Sequence, residues 1–154
     1  PSDFLGRPFG DTTPYGFEAL TDANVCVFRR ADFDRFARDH PRLEHKLLER
    51  TLSELDRTRR WMLLLSRMNA EQKMATFLLE MSERLAPHGC LNAVNAASVF
   101  ALPLSRQQIG DVLGLTIETV SRQFTKLKSE GLIGLPSRQE VTILERSALE
   151  NRAV

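Results

Sequence analysis

The spacing of apolar side chains divides the chain into regions of different predicted structure. Up to Arg30, Gly, Pro, Asp and Thr cluster, and "NVCVFRR" (Asn24 to Arg30) is a short β-favouring run. From Pro41 to about Met68, helix formers dominate without glycine. The pattern predicts the last hairpins of a β-domain, followed by a helix of about 27 residues that is about 40 Å long.

One side of this long helix carries an apolar stripe. Arg59 occupies one position of that seam and interrupts the stripe. A helix of this length is longer than one small domain covers, so we expect the stripe to face a second copy of the chain. The alternative is packing against its own β-domain alone. The predicted dimer-interface residues are Leu48, Leu52, Leu55 and Met62.

A second helix is predicted from Asn69, a good N-cap, with Glu71 in its first turn and Arg84 in its last, as the helix dipole prefers. "APHGC" ends the helix, and "SVFALP" closes the following segment as a possible short strand. The apolar positions of the helix are Met74, Phe77, Leu78 and Met81.

Two shorter helices follow in close succession. "SRQQ" is a capping box in which Ser105 and Gln108 start a helix at Arg106, and Gly114 ends it. Thr116 caps the next helix, and the pair joined by a short glycine-containing turn predicts a helix-turn-helix. The predicted buried stripes are Ile109, Val112 and Leu113 on the first helix, and Val120, Phe124 and Leu127 on the second.

Gly110 is predicted to lie where the second helix crosses closely over the first. The alternative for the whole pair is an ordinary two-helix hairpin in a protein core. That alternative does not explain the mixed outer face of the second helix, whose side chains can donate hydrogen bonds, accept them and contact methyl groups. This face consists of Ile117, Glu118, Ser121, Arg122 and Thr125.

Base-edge chemistry gives these side chains possible roles in DNA reading. Arg122 fits guanine O6 and N7, Glu118 can accept from cytosine N4, and Ser121 or Ile117 can meet thymine. Glu118 has a second explanation, namely favourable placement in the helix dipole and an i, i+4 pair with Arg122. The residues predicted to contact the DNA backbone are Arg106, Thr116, Thr125, Lys126 and Lys128.

The end of the chain predicts a wing. "LIGL" and "EVTIL" are short β runs after Gly131, and "PSRQ" separates them as a hairpin. "ERSALENRAV" then predicts a short helix or a frayed tail. These elements complete a winged helix.

Composition narrows the classes of function. With 154 residues and 42% hydrophobic side chains, the chain can bury a core in one domain or two small ones. No apolar run approaches the roughly 20 residues that cross a bilayer, no signal peptide opens the chain, and two cysteines are too few for a disulfide framework. A cytoplasmic protein is the expectation, and the start at Pro1 in a turn-rich stretch suggests an N-terminally truncated sequence.

A net charge of +1 argues against a protein that coats DNA by charge alone. Recognition of a particular sequence by a few placed groups stays open, and so does a dimeric scaffold whose winged helix binds protein. We predict no enzyme, no metal and no cofactor. The three histidines, His40, His45 and His88, have no metal-ligand spacing with the cysteines, and no nucleophile has a sequence signature.

Two long stretches resemble the Crp/Fnr family of bacterial transcription regulators, and within it the Fnr/FixK branch. They are "MLLLSRMNAEQKMATFLLEMSERL" and "LPLSRQQIGDVLGLTIETVSRQFTKLKSEGLI", with "ETVSR" (Glu118 to Arg122) as the most specific part. The resemblance implies an α+β fold. It places a remnant of a β-roll sensor at residues 1–40, a dimerisation helix at 41–68 and a winged helix-turn-helix domain at 69–154.

The resemblance also implies a function. Glu118, Ser121 and Arg122 would read a TTG...CAA palindrome in double-stranded DNA as part of a homodimeric activator that contacts RNA polymerase. A regulator gated by a small effector is the alternative, although the phosphate-binding cassette of the cyclic-AMP receptor is not visible.

Cys26 matches the β-roll cysteine of iron-sulfur members, or is a small buried hydrophobe. Ser105 stands at a position where the resemblance implies cysteine in some FixK-type relatives, and Cys90 is expected to be an inert loop thiol.

Overall fold

The computed structural model describes residues 5–6, 12–19, 22–85, 98–137 and 139–153. The chain forms two compact units, Pro1–Thr58 and Arg59–Val154. The boundary falls inside the longest helix of the described residues.

The first unit contains helix α1 (Arg30–Asp39) and the first part of α2 (Pro41–Arg67). The strand predicted for Asn24–Arg30 is wrong, because residues 22–29 have no regular secondary structure and Arg30 begins a helix. A strand needs a neighbour to satisfy its backbone groups. No described residue pairs with this run, and Val27 is 87% exposed.

Helix α1 was not predicted from the sequence. Asp32 in its first turn and Arg38 in its last suit the helix dipole, and Ala37 is buried. The ring of His40 stacks on that of Phe36, with 3.9 Å between the centroids. Cys26, before this helix, is a free and exposed thiol, so its interpretation as a buried hydrophobe is wrong.

Helix α2 has the predicted length of 27 residues and begins at Pro41. Proline suits this position because its missing N–H would have no partner in the first turn. The apolar stripe is exposed along the helix, whereas Leu64 is only 2% exposed. The exposed fractions of the stripe are 56% for Leu48, 52% for Leu52, 43% for Leu55 and 65% for Met62.

Helix α3 (Ala70–Leu85) confirms the second predicted helix. Asn69 Oδ1 accepts hydrogen bonds from the N–H groups of Glu71 and Gln72, both at 3.0 Å, which satisfies two free donors of the first turn. Met74, Phe77 and Leu78 are buried as predicted, and Met81 is partly buried. The predicted end of this helix at "APHGC", with His88 and Cys90, lies outside the described residues.

A three-stranded antiparallel sheet follows, formed by β1 (Ser98–Ala101), β2 (Ile133–Gly134) and β3 (Glu140–Ile143) in the order β1-β3-β2. Phe100 pairs with Val141, and Ile133 pairs with Ile143. The strand in "SVFALP" and the wing hairpin are thereby confirmed. Helix α6 (Arg146–Arg152) ends the described chain and buries Leu149.

Helices α4 (Arg106–Leu113) and α5 (Ile117–Ser129) form the predicted helix-turn-helix. The capping box is present, since Ser105 Oγ accepts from the N–H of Gln108 at 3.2 Å and Gln108 Oε1 accepts from the N–H of Ser105 at 2.8 Å. Gly114 ends α4 in the left-handed region, with φ 63°.

The buried sides of the two helices agree with the predicted stripes except at one position. Ile109 and Leu113 are fully buried, but Val112 is 43% exposed, so its prediction as a core residue is wrong. The core side of this short helix passes through Gly110 instead, which is also buried. On α5 the buried residues are Val120, Phe124 and Leu127, as predicted.

Gly110 is a point of close approach, but the approaching group is the turn and not helix α5. The Leu115 N–H donates to the Gly110 carbonyl at 2.9 Å. A Cβ atom on Gly110 would lie 2.6 Å from the Leu115 carbonyl oxygen. Because that neighbour is backbone, it cannot rotate away as a side chain would.

We predict that Gly110→Ala lowers the free energy of unfolding by about 1–3 kcal/mol, because the turn must shift. Helix propensity alone would favour alanine by about 1 kcal/mol. Urea unfolding followed by circular dichroism measures the change. Gly134→Ala is the control, since its Cβ would meet Thr142 Cβ at 3.4 Å, an ordinary contact. Unchanged or increased stability of Gly110→Ala would contradict the close approach.

Candidate nucleic-acid interface

The outer side of α5 is the candidate surface. Val120, Phe124 and Leu127 anchor the helix to the core, with exposed fractions of 0 to 2%. Residues on the other side of an α-helix then turn outward, since each residue advances by about 100°. The structure brings the five predicted members of the face together, all exposed: Ile117, Glu118, Ser121, Arg122 and Thr125.

Glu118 is held at the start of the helix. Hydrogen bonds from its own backbone N–H and from the Thr116 hydroxyl lower the pKa of Glu118, and the side chain is fully exposed. Among the described residues, no ion pair joins Glu118 to Arg122. The observed contacts therefore favour helix-end stabilisation over the i, i+4 pair, and they keep the carboxylate charged near neutral pH.

The hydroxyl groups of this helix are used in different ways. Thr116 Oγ1 accepts from the Thr119 N–H at 3.3 Å, which makes Thr116 the N-cap that the sequence predicts. Thr125 Oγ1 donates to the Ser121 carbonyl at 3.0 Å, so its proton is already engaged and the oxygen is left as an acceptor. Ser121 stays exposed on the outer side.

The three cations predicted to contact phosphates have different surroundings. Lys128 is exposed. The guanidinium of Arg106 lies over the Phe124 ring, 3.1 Å from its centroid, and burial lowers the pKa of Arg106. Lys126 Nζ donates to Glu71 Oε2 of α3 at 2.5 Å, although the Lys126 side chain is 42% exposed.

Sequence reasoning did not find the charged residues that surround Lys126. Glu71 also pairs with Arg152, and Arg152 Nη2 lies 3.3 Å from Glu130 Oε2. Glu71 and Arg152 are 81 positions apart. Local periodicity carries no signal for such pairs, because it reports only neighbours along one helix.

Within the described ranges, no group of three or more His, Cys, Asp or Glu side chains is placed to hold a metal ion. His45 instead lies 3.2 Å from Glu49 on an exposed helical surface. None of the helices in the described parts of the chain is both long and apolar enough to cross a membrane.

Comparisons with known proteins agree with this geometry. Residues 72–152 match the Crp-like helix-turn-helix domain. The chain is 42% identical over 153 residues to the transcriptional activator protein FnrL of Cereibacter sphaeroides, covering 99% of this chain and 61% of FnrL. It is 42% identical over 135 residues to the nitrogen fixation regulation protein FixK of Bradyrhizobium diazoefficiens, covering 88% of this chain and 55% of FixK.

The structure of FixK2 from Bradyrhizobium japonicum superposes with a TM-score of 0.70 at 38% identity, covering 81% of this chain and 59% of FixK2. The chain therefore spans little more than half the length of these relatives. Named relatives are transcription regulators rather than enzymes, and the α+β fold with a C-terminal helix-turn-helix is confirmed. The chain belongs to the Crp/Fnr family of transcription regulators, with FnrL- and FixK-type proteins among its relatives.

Proposed function

We propose that this chain is the dimerising and DNA-reading part of a transcription activator that binds a TTG...CAA-type palindrome as a homodimer. The observation that carries the proposal is the exposed, chemically mixed side of α5 within a Crp-like helix-turn-helix domain. The described relatives add support, since FnrL is named a transcriptional activator. Contact with RNA polymerase in the cytoplasm is part of the proposal.

Base reading is assigned to the first two turns of α5. The Arg122 guanidinium presents two parallel donors that match guanine O6 and N7, and Glu118 accepts from cytosine N4. Ser121 lies on the same exposed side, and Ile117, 40% exposed, offers an apolar contact for a thymine methyl group. These side chains are at the helix N-terminus, where a recognition helix meets base edges.

Backbone contacts are assigned to the surrounding side chains. Lys128 is the strongest candidate, because it is exposed. Thr116 and Thr125 flank the reading residues, whereas Arg106 and Lys126 would first have to leave Phe124 and Glu71. Because fewer cationic side chains are available to phosphates, sequence-independent binding is expected to contribute a smaller share of the affinity.

Dimerisation is assigned to the exposed stripe of α2. Leu48, Leu52 and Leu55 are each between 43% and 56% exposed, and Met62 continues the stripe at 65%. Such a row of apolar side chains is typical of an interaction surface. In the proposed homodimer the two recognition helices enter successive major grooves about 34 Å apart, as expected for a palindromic site.

Gel-shift titrations of a TTG...CAA duplex and a scrambled duplex, at several salt concentrations, test the function itself. We expect a marked preference for the palindrome at every salt concentration. Equal affinity for both duplexes would favour the protein-binding scaffold.

Arg122→Ala is expected to cost about 1–3 kcal/mol of binding free energy and to relax the choice at one base pair, because a bidentate base contact is lost. Lys128→Ala is the matched comparison. It is expected to weaken binding to all duplexes alike and to lower the slope of log affinity against log salt by about 1. Competition against duplexes with single base changes measures both effects. Uniform weakening by Arg122→Ala would contradict its assignment to a base.

Glu118→Gln separates base reading from helix-end stabilisation. If Glu118 accepts from cytosine, the variant loses discrimination at the base pair next to the one read by Arg122, while thermal unfolding changes little. Base preference is measured with the same panel of duplexes. A variant with intact preference and a lower melting temperature would leave Glu118 only its role at the helix start.

Leu52→Glu combined with Leu55→Glu is expected to convert the dimer into a monomer, because two charges would be buried without partners in the interface. Sedimentation velocity measures the oligomeric state. Ser53→Glu is the control, since it adds the same charge to an exposed position that helical geometry turns away from the stripe. A dimer that persists in the double variant would contradict the helix interface.

A further inference from the structure

The first turn of α3 contacts both helices of the helix-turn-helix through charged side chains. Glu71 Oε2 accepts from Lys126 Nζ of α5 at 2.5 Å. Lys73 Nζ, two residues later, donates to the Leu113 carbonyl at the end of α4 at 3.2 Å. A cation at that position also interacts favourably with the dipole of α4. The orientation of α4 and α5 is thus linked to the start of α3 by directional contacts as well as by the apolar core.

The contact with α5 is part of a chain of alternating charges, Lys126–Glu71–Arg152–Glu130. Glu71 pairs with Lys126 and with Arg152, and Arg152 pairs in turn with Glu130. Lys126 lies in the last turn of α5, and Glu130 is its C-cap. The end of the recognition helix is therefore held at two points of opposite charge, which resists rotation better than a single contact does.

The two glutamates of this chain are partly shielded from water. The Glu71 side chain is 20% exposed and that of Glu130 is 31% exposed. The Lys126 hydrogen bond, followed by that of Arg152, lowers the pKa of Glu71 against the opposing effect of burial. Because that pKa lies below its ordinary value, the pairs are fully formed at neutral pH, and they are lost only as the pH falls through the lowered pKa.

A second charged contact on α3 offers a natural comparison. Arg146 Nη2 of α6 pairs with Glu83 Oε1 at 2.6 Å, and Arg146 Nε pairs with Glu150 Oε1 at 2.9 Å. This contact joins α3 to α6, as Glu71 does through Arg152, but it does not include α5. The two glutamates therefore differ in whether they hold the recognition helix.

We propose that Glu71 is a positioning residue for DNA reading, which fixes the orientation of α5 through Lys126 and the Arg152–Glu130 pair and so sharpens the discrimination between DNA sequences. The inference rests on the proposed function. Base contacts need aligned donors and acceptors, whereas phosphate contacts tolerate displacement. A loosened α5 therefore loses base contacts first. Glu71 also neutralises Lys126, which would otherwise be available to any phosphate.

Glu71→Gln tests this inference, since glutamine keeps the size and one acceptor but removes the charge. Dissociation constants of the 154-residue chain are measured for a TTG...CAA duplex and a scrambled duplex at one salt concentration. The ratio of the two constants is expected to fall by about five- to tenfold, within the range found for coupled residues in one ionic network. Most of the fall is expected from weaker binding to the palindrome, with unchanged or tighter binding to scrambled DNA.

Glu83→Gln is the matched control and is expected to keep the wild-type ratio. A purely structural role of Glu71 would lower the active fraction and weaken binding to both duplexes by the same factor. That unchanged ratio would overturn the inference. If Glu71→Gln fails to fold by circular dichroism, Arg152→Gln takes its place, because Arg152 joins Glu71 to Glu130 at the end of α5. A wild-type ratio in Arg152→Gln would overturn the inference equally.

The wild-type chain separates this inference from the proposed function. If the wild type shows no preference for the palindrome, both proposals fail. If it shows a preference that Glu71→Gln retains, the positioning role fails and the proposed function stands.

Discussion

The turn between α4 and α5 runs directly across Gly110, and the placement of the exposed side of α5 depends on that approach. The Leu115 carbonyl lies where a Cβ atom would be, so the two helices reach this geometry only over a residue without a side chain. The Leu115 N–H bonds back to Gly110, and Gly114 takes the left-handed conformation that ends α4. Thr116 follows Leu115 directly and is the N-cap of α5, so a few backbone contacts determine where α5 begins.

Apolar packing holds α5 along its length, and charged contacts are added at its last turn. Val120, Phe124 and Leu127 pack against the core. Lys126 and Glu130 tie the last turn to Glu71 and Arg152. Between these contacts, the side chains of Arg122 and Ser121 have no hydrogen-bond or ion-pair partner among the described residues. Such an arrangement suits a surface that must be rigid before its ligand arrives, because ordering it on binding would cost affinity.

The sequence predicted correctly the helix starts that are stabilised by residues close by in the chain. The caps at Asn69, Ser105 and Thr116 were visible in the sequence, because each satisfies donors within three residues of itself. The run Asn24–Arg30 failed for the opposite reason, since β propensity does not supply the partner that a strand requires. Val112 failed because the covered side of the short α4 includes Gly110, which has no apolar side chain to reveal it in the sequence. The surroundings of Lys126 depend on residues far away in the sequence, which no periodicity reports.

The contact between Arg106 and Phe124 joins the outside of the domain to its inside. One face of the Phe124 ring lies among the buried side chains, and the other supports a guanidinium 3.1 Å from its centroid. A cation at position 106 gains from an aromatic ring at position 124 and has little to gain from an aliphatic one. A substitution at core position 124 would therefore change how favourable a positive charge is at surface position 106. Across the family, these two positions are expected to change together.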